Sequence, residues 1–381
     1  MQYRKLGRTG LMVSEIGFGG EWLERHPEEE SVRLLQYAHR QGINIIDCWM
    51  PDPKSRDIIG KAIAGCRDEW FVQGHIGSTW QNGQYVRTRD MRFVPPAFED
   101  LLARIGGGYI DLGMIHYIDS MEDWNTAMGT EYIRYVRELH DQKLIRHIGI
   151  STHNPRIARM AAESGFIEMI LFSINPAFDL RPPTEDLDSM FTGYERQEYR
   201  GIDPERSALY RLCEEKEIGI TVMKGFFGGR LFDARTSPFG AAFTAPQLIH
   251  YSLTKPAVAS VLCGFDTVEQ VDRAVSYETA SDSEKDYASV IASAPLNAYS
   301  GQCTYCGHCR PCPMHIDIAM VNKFYDLAVQ HDRIPESVRA HYEALEPTAS
   351  ACIGCRSCES RCPFSVPIAD RMKAAAELFG I

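Results

Sequence analysis

Eight short apolar runs, spaced through the first 265 residues, constrain the fold of this chain more than any other feature. Amphipathic stretches of helical periodicity lie between them, as at 28–41, 131–143 and 206–217. Continuously apolar runs are typical of strands covered on both faces, and a strand–helix repeat indicates a parallel sheet. Eight such units predict a (β/α)₈ barrel, with a doubly wound open sheet as the alternative. The runs lie at 15–20, 44–48, 70–77, 109–117, 147–152, 169–174, 219–223 and 258–265.

Two longer segments interrupt this alternation, at 78–94 and 177–204. Both follow strands, so in a barrel they lie over the mouth where substrates bind. A further helix is expected at 281–293, and the sequence then changes character near residue 295. We therefore expect a barrel over 1–294 and a small second domain over 295–381.

The charge balance and the apolar content narrow the classes of partner. The chain has 40 Lys plus Arg against 51 Asp plus Glu, a net charge of -11, and no run of five basic residues. Nucleic-acid binding needs clustered cations, so we expect no nucleic-acid partner. No apolar stretch approaches 18 residues and no secretion signal opens the sequence, so we expect a cytoplasmic protein without a membrane partner.

Eight of the 12 cysteines crowd into two short motifs near the C-terminus. This asymmetry indicates metal binding in a reducing compartment rather than disulfides. Three cysteines at i, i+3 and i+6, followed by a fourth and a proline, match the bacterial ferredoxin pattern. The second motif fits that pattern fully, whereas the first has two residues rather than three before its last cysteine. The motifs are Cys303, Cys306, Cys309 and Cys312, then Cys352, Cys355, Cys358 and Cys362.

On the ferredoxin pattern, the duplicated motif implies two [4Fe–4S] clusters whose fourth ligands are crossed between the motifs. Structural zinc is the alternative, because C-x2-C pairs also bind Zn²⁺. Two clusters in series suit the transfer of single electrons, and a purely structural role is the other possibility. The implied ligand sets are Cys303, Cys306, Cys309 and Cys362 for one cluster, and Cys312, Cys352, Cys355 and Cys358 for the other.

Polar residues follow most of the predicted strands, at the end where barrel enzymes place their active sites. Asp47, His75 and His116 end three successive strands and are expected to converge there. A single histidine at such a position is often a core residue, but two histidines and an aspartate favour a catalytic site. The other polar or glycine positions at strand ends are Ser151, His153, Asn175, Lys224 and Gly264.

At this level of detail, the sequence resembles the aldo/keto reductase superfamily, and within it the branch with a C-terminal ferredoxin-like domain. The resemblance spans essentially the whole chain and ends with the paired cysteine motifs. It implies the barrel fold and an oxidoreductase activity. The stretches that carry it are YRKLGRTGLMVSEIGFGG, GINIIDCWMPDPKSRDIIGKAI, YIDLGMIHY, LIRHIGISTHNP, GITVMKGFFGGRL and VLCGFDTVEQV.

Members of that superfamily use an Asp, Tyr, Lys and His tetrad in which the tyrosine donates a proton. By resemblance, Asp47 takes the Asp position and His116 the His position, while Asp52 replaces the Tyr and His75 the Lys. Asp52 would need its pKa raised by about 3 units to hold a proton at neutral pH, so His75 is the easier proton donor. Three aromatic side chains are further candidates whose placement stays open: Trp49, Tyr85 and Tyr117.

The resemblance also implies a nicotinamide cofactor, NAD or NADP. The loop after the eighth strand carries Asp266, Glu269 and Asp272, which would repel an additional phosphate. We therefore expect NADP to bind no better than NAD. The residues implied for this cofactor are Ser151, Asn175, Lys224, Arg230 and Gly264.

Three functional hypotheses follow. The first is an iron–sulfur oxidoreductase that moves electrons between a redox partner, such as a ferredoxin or flavodoxin, and a small organic substrate in the barrel mouth. The second is an NAD(P)-dependent carbonyl or alcohol oxidoreductase with histidine in place of the usual Tyr and Lys. The third is a non-catalytic electron-transfer or scaffold subunit, which predicts no deep polar pocket. The substrate, the direction of electron flow and the oligomeric state stay open.

Overall fold

A computed structural model describes residues 1–194, 199, 201–294, 299–331 and 333–381 of the chain. Within these residues eight parallel strands close into a barrel, as the alternation predicts, and the open-sheet alternative is wrong. Four short strands form two antiparallel hairpins. The strands are β1 (Tyr3–Lys5), β2 (Met12–Ser14), β3 (Ile16–Gly19), β4 (Ile45–Cys48), β5 (Phe71–Ile76), β6 (Ser78–Gln81), β7 (Gln84–Arg87), β8 (Ile110–Ile115), β9 (Ile145–Thr152), β10 (Met169–Ser173), β11 (Gly219–Met223) and β12 (Val258–Gly264).

The barrel strands follow one another in the order β3, β4, β5, β8, β9, β10, β11 and β12, and β12 pairs with β3 to complete the circle. Seven of the eight predicted runs contain the corresponding strand, and β9 begins at Ile145, two residues earlier than predicted. Every residue of β4, β8 and β10 is buried. Burial on both faces is what a continuously apolar strand requires.

Helices cover the outside of the barrel. In the first helix Leu34, Leu35 and Ala38 recur at helical spacing and are buried, while three glutamates occupy the first turn. No helix in the described residues is long and apolar enough to cross a membrane. The helices are α1 (Glu28–Arg40), α2 (Pro53–Ile63), α3 (Val94–Ile105), α4 (Met121–Gly129), α5 (Glu131–Asp141), α6 (Pro155–Glu163), α7 (Pro204–Glu215), α8 (Ala245–Leu253), α9 (Val268–Val275), α10 (Tyr287–Ser293), α11 (Ile318–Ala328), α12 (Glu336–Glu343) and α13 (Ile368–Phe379).

The β1–β2 hairpin, which was not predicted, closes the amino-terminal end of the barrel. Leu6 and Val13 are fully buried and pack against inward-facing residues such as Ile45, Leu112 and Met169. The barrel interior is therefore a packed core rather than a channel, and only its carboxyl-terminal end is open for a site.

The C-terminal region consists of α11, α12 and α13, with the first cysteine motif in the loop before α11 and the second in the segment between α12 and α13. The predicted boundary at 295 falls on residues 295–298, which lie outside the described residues, so the division into two domains stays a prediction. Tyr287 and Phe324 belong to the same apolar core as the outer barrel residues. The hydroxyl of Tyr299 donates to the backbone oxygen of Pro176, 2.9 Å away. The cysteine-bearing region is thus packed directly on the barrel.

Candidate functional site

A cavity of about 1230 Å³ opens at the carboxyl-terminal ends of the barrel strands. Loops that follow the strands build the substrate site in this fold, so chemistry is expected here. Asp47, His75 and His116 all line the cavity. Its walls also carry large aromatic side chains, which are Trp22, Trp49, Tyr85, Tyr117, Phe226, Phe232, Phe243 and Phe265.

Asp47 lies in β4 and is fixed from inside the barrel. The Gln73 amide nitrogen donates to Asp47 Oδ1 at 3.2 Å, and the Gln73 oxygen accepts from the Thr221 hydroxyl at 2.9 Å. The N–H of Gly20 donates to the Asp47 backbone oxygen, and a side chain at position 20 would come within 2.4 Å of that oxygen. These contacts hold the carboxylate in one position.

Two imidazole rings, those of His75 and His116, extend the hydrogen bonding that begins at Asp47. His75 Nε2 lies 2.8 Å from Asp47 Oδ1, and His75 Nδ1 lies 2.8 Å from His116 Nδ1. Both rings are buried, and burial, together with the nearby His75 and Arg89, lowers the pKa of His116 well below its ordinary value. His116 is therefore neutral near pH 7. Because both nitrogens of His75 are engaged, this ring lies between Asp47 and His116 in the hydrogen bonding and has no free nitrogen for a substrate.

The remaining nitrogen of His116 is bonded to a tyrosine. The Tyr85 hydroxyl lies 2.7 Å from His116 Nε2, and the Tyr85 ring packs edge-on against Trp49 with 5.3 Å between centroids. Burial raises the pKa of Tyr85 to about 12. Tyr85, His116, His75 and Asp47 thus form one continuous hydrogen-bonded chain, which we call the proton chain.

Tyr85 lies on β7, in a hairpin formed by the first of the two inserted segments. The Ser78 hydroxyl donates to the backbone oxygen of Trp49 at 2.6 Å, and Arg87 donates to the backbone oxygen of Tyr117 at 2.9 Å. These bonds tie both strands of the hairpin to the barrel loops. The insertion therefore brings a tyrosine side chain to the barrel mouth.

The position of Tyr85 was left open from sequence, although a signal for the hairpin exists. Asn82 and Gly83 form its two-residue turn, and both have positive φ angles of 51° and 77°. Asn-Gly is a strong two-residue hairpin signal because both residues tolerate this conformation. It places Trp80 opposite Tyr85, although it does not predict what Tyr85 contacts.

Asp52 does not join the proton chain, which corrects the expectation that it adds a carboxylate to the site. Its carboxylate caps α2 by accepting from the Ser55 N–H at 3.1 Å, and it is absent from the lining of the cavity. Pro53 occupies the first helical position, where its missing N–H costs nothing. The motif around Asp52 is a helix start.

Of the five residues implied for a nicotinamide, Ser151, Lys224 and Gly264 line the cavity. Ser151 Oγ accepts from the Tyr117 N–H at 2.8 Å and keeps its own proton for a ligand. These three residues are placed where a ligand could reach them.

Asn175 and Arg230 are placed differently from the expectation. Asn175 is fully buried, its nitrogen donates to the Lys224 backbone oxygen, and its oxygen accepts from two N–H groups of the following turn. Arg230 is absent from the cavity lining and donates to the Phe191 backbone oxygen at 3.0 Å. Asn175 is also absent from the cavity lining, and both polar atoms of its amide bond backbone groups, so the residues present do not fit this cofactor in the expected way.

The acidic loop after β12 presents fewer carboxylates to a bound phosphate than expected. Asp266 lines the cavity, but Glu269 and Asp272 do not, and Asp272 accepts from the Tyr37 hydroxyl. Arg273 lines the same end of the cavity. The expectation that NADP binds no better than NAD therefore loses its electrostatic basis.

The eight clustered cysteines divide into two sets, each lining its own small cavity. The grouping is the same as in the crossed ligand sets implied by the ferredoxin pattern. We call them the inner set, which contacts the barrel side, and the outer set, which includes the exposed Cys355. The inner set is Cys303, Cys306, Cys309 and Cys362, and the outer set is Cys312, Cys352, Cys355 and Cys358.

The surroundings of these sets fit iron–sulfur clusters. In the described part of the chain, no three metal-binding side chains converge as ligands of a single ion would. The cysteines surround cavities instead, which suits a cluster with one iron at each sulfur. Three polar atoms near the cysteines are buried without a hydrogen-bond partner, and each belongs to a residue next to a cysteine in the sequence. They are Thr304 Oγ1, His308 Nδ1 and Arg361 Nε. Buried donors of this kind suit a sulfur-rich anion.

Two protein families match the chain. The aldo/keto reductase family matches residues 15–185, and a 4Fe–4S dicluster domain matches residues 302–367. The protein is an aldo/keto reductase-like oxidoreductase with a 4Fe–4S dicluster domain. The sequence resemblance is thereby confirmed.

Relatives of this oxidoreductase include two proteins of Bacillus subtilis. One, the uncharacterized oxidoreductase YqkF, is 25% identical over 281 residues, which cover 71% of this chain and 89% of the relative. The other, the aldo-keto reductase YhdN, is 30% identical over 160 residues, which cover 40% of this chain and 47% of the relative. Among solved structures, the holo form of aldo-keto reductase AKR11C1 from Bacillus halodurans matches with a TM-score of 0.60 and 21% identity, covering 78% of this chain and 98% of that one. This last similarity supports the fold.

Proposed function

We propose that the protein passes electrons between a one-electron redox partner and a small carbonyl or alcohol substrate in the barrel mouth, with the proton chain handling the proton on the substrate oxygen. The observation that carries this proposal is the continuous chain from Tyr85 to Asp47 at the wall of a deep cavity. Two of the four tetrad positions of the superfamily are changed, yet a tyrosine is again present, supplied by a hairpin.

The hydrogen bonds define a consistent set of proton positions. An ionised Asp47 only accepts, so His75 carries its proton on Nε2 and presents a lone pair at Nδ1 when neutral. His116 then donates from Nδ1 to His75 and accepts from the Tyr85 hydroxyl at Nε2. In this neutral arrangement the proton chain is ready to take up one proton at its Tyr85 end.

Alcohol oxidation begins from this neutral arrangement and places one additional proton on the proton chain. The Tyr85 oxygen accepts the substrate proton while its own proton moves to His116 Nε2, and the His116 Nδ1 proton moves to His75 Nδ1. The result is an imidazolium at His75 beside the carboxylate of Asp47, which stabilises the charge. Carbonyl reduction runs the same steps in reverse. It consumes two electrons and two protons: the proton chain, starting from protonated His75, supplies the proton bound to oxygen, and solvent water supplies the proton bound to carbon.

The pKa values of the outer residues suit this role. A pKa of about 12 keeps Tyr85 protonated until a substrate oxygen gains negative charge and becomes the stronger base. The lowered pKa of His116 keeps this ring neutral, so it holds no resident charge between transfers. Tyr85 is therefore the member that contacts substrate, while His116, His75 and Asp47 act through it.

When bound, the two clusters supply single electrons to such a reaction. The inner set is connected to the cavity wall by a short route: Gln247 lines the cavity and donates to the Asp286 backbone oxygen, and the Asp286 carboxylate lies 3.0 Å from His308 Nε2. His308 lies between Cys306 and Cys309 in the chain. The inner set is thus the one next to the substrate.

The outer set is accessible from solvent. Cys355 is exposed and Ile353 is 63% exposed. An exposed apolar side chain beside an exposed ligand suits brief contact with a small electron carrier such as a ferredoxin or flavodoxin. The arrangement supports a path from the carrier past the outer set and the inner set to the cavity.

A second candidate function is the nicotinamide-dependent reaction. It is favoured by the size of the cavity, about 1230 Å³, which continues from His116 to Gln270 and Arg273 and exceeds the needs of a small substrate. Against it stands Asn175, which is fully buried and absent from the cavity lining. The non-catalytic hypothesis predicts no deep polar pocket, and the lined cavity argues against it.

The test is a reoxidation assay. Anaerobically purified protein is reduced with dithionite, freed of excess reductant and mixed with a panel of aldehydes and ketones while the cluster absorbance is followed. We expect at least one compound to reoxidise the clusters and to yield its alcohol, one molecule for every two electrons, with D47N as the inactive control. Reduction of the panel only when NADPH or NADH is added, with no reoxidation of the clusters, would favour the second candidate.

A further inference from the structure

Lys255 is a buried cation that the proposed reaction does not use. It follows α8 and is 1% exposed. Its ammonium donates to the Tyr251 backbone oxygen and the Thr254 hydroxyl, each at 3.2 Å, and lies 3.6 Å from the centroid of the Tyr251 ring. Among the described residues no carboxylate lies within salt-bridge distance of it. A buried ammonium without a paired anion is costly, so its negative counterpart must be sought nearby.

Asp179 is a buried carboxylate whose charge acts on Lys255, and it is already shared. It is fully buried, accepts from the hydroxyls of Tyr210 and Tyr251, and lies 3.6 Å from the Arg206 guanidinium. Two buried cations, Arg206 and Lys255, therefore face one buried carboxylate. One positive charge is left over in this part of the interior.

The inner cysteine set lies on the other side of the same group of tyrosines. The Tyr287 ring packs edge-on against Tyr251 at 5.1 Å, and its hydroxyl donates to the Thr304 backbone oxygen at 2.6 Å. Thr304 directly follows Cys303. Burial lowers the pKa of Lys255 to about 8, while Asp179 and the Cys306 and Cys303 thiolates act to raise it.

Three other cations near the inner set are paired with carboxylates. Arg371 contacts Asp326, and Lys323 lies 3.9 Å from Glu214. His308 lies 3.0 Å from Asp286. Each of these pairs brings an opposite charge with it. Arg361 donates to the backbone oxygens of Cys309 and Pro311 and forms no salt bridge among the described residues, so its charge and that of Lys255 are both available to an anion in the cysteine cavities. Lys255 is the buried one of the two, whereas Arg361 is half-buried.

We propose that Lys255 is the buried countercation of the cluster held by the inner set and stabilises its reduced form. A cubane with four thiolates is anionic and gains a further negative charge on reduction. Burial alone disfavours that added charge, because a low-dielectric interior solvates ions poorly. An ammonium fixed nearby offsets the penalty at the cluster next to the substrate. The outer set, with its exposed Cys355, has solvent for the same purpose.

The test is a redox titration of the full-length, cluster-loaded protein, followed by electron paramagnetic resonance so that the two clusters are read separately. K255M should make one cluster harder to reduce by about tenfold in its reduction equilibrium, about 59 mV for a one-electron couple, and leave the other unchanged. K255R keeps the charge and should stay close to the parent. K373M removes an exposed lysine of α13 and should shift neither cluster.

A second variant keeps the proposal testable if K255M fails to assemble its cluster. D179N removes the carboxylate that competes for Lys255 and should make the same cluster easier to reduce, a shift of opposite sign. Unchanged potentials in both K255M and D179N, or a shift in K373M as large as in K255M, would overturn the proposal. It rests on the iron–sulfur assignment and not on the substrate reaction, since the potentials are measured without substrate. Its failure is therefore distinguishable from failure of the proposed function.

Discussion

His75 and His116 face each other through their Nδ1 atoms, 2.8 Å apart. Only one of the two facing nitrogens can carry the proton of this bond, so the protonation states of the rings are coupled. Charging both would point two N–H groups at each other, which agrees with the lowered pKa of His116. The pair therefore holds at most one positive charge, and Asp47 favours its location on His75.

Replacing His75 by Gln should slow substrate reduction about 10²–10⁴-fold, because an amide cannot hold the proton that His75 passes through His116 to Tyr85. Substrate affinity should change little, since His75 is 3% exposed and both of its nitrogens are engaged within the protein. Single-turnover rates at varied substrate concentration separate the two effects. H147Q is a suitable control, because His147 bonds Glu168 instead of the proton chain. Equal losses in both variants would contradict the relay.

The crossed cysteine sets can be tested by removing one ligand at a time. The parent should contain about eight iron atoms per chain, and C312A and C355A should lose the same cluster although they belong to different motifs. C362A should lose the other cluster. Iron analysis with electron paramagnetic resonance distinguishes these outcomes, and C66A, a cysteine outside both sets, is the control. Zinc in place of iron, or loss of different clusters in C312A and C355A, would contradict the assignment.

Nicotinamide binding should be weak. The Asn175 amide is satisfied by backbone groups and Arg230 lies outside the cavity lining, so two of the expected contacts are missing. We expect neither NADPH nor NADH to give a saturable fluorescence change below about 1 mM, which corresponds to about −4.1 kcal/mol. Saturation by either nucleotide in the micromolar range would instead favour the second candidate function, the nicotinamide-dependent reaction.

The stability of the barrel should fall in mild acid through His250. Burial, aided by Lys285 and Lys255, lowers the pKa of His250 to about 4, whereas an unfolded histidine has a pKa of about 6.5. Between these values the unfolded chain binds a proton that the folded chain does not, so stability decreases as the pH falls. From about pH 7 to about pH 5 this group should lower the free energy of unfolding by about 2 kcal/mol. Urea unfolding of the parent and H250Q at both pH values measures the difference, and an identical pH dependence would contradict it.

The barrel strands were predictable because a strand buried on both faces leaves a continuous apolar run, as at β8 and β10. The grouping of the cysteines was implied by the match to the ferredoxin pattern, in which three close ligands of one motif share a cluster with the last ligand of the other. Asp47, His75 and His116 were predictable from their places at strand ends, where parallel strands converge.

Other parts of the site depend on contacts that local patterns do not encode. Asp52 stands before a proline at a helix start, so its sequence context fits a cap as well as a catalytic role, and the cap is what forms. Asn175 looks like a free strand-end amide until the following turn folds back onto it. Tyr85 is 31 residues from His116 in the chain, and only the docked hairpin brings them together.

The most direct test of the account is the rate at which substrate reoxidises the reduced clusters in Y85F. This substitution removes only the hydroxyl that lies 2.7 Å from His116 Nε2. We expect a loss of about 10²–10⁴-fold in that rate with unchanged cluster content, because the substrate oxygen loses its proton donor. Y117F, which alters a hydroxyl in the same cavity that is not bonded to His116, should reoxidise close to the parent rate. Reoxidation of Y85F at the parent rate would contradict the account.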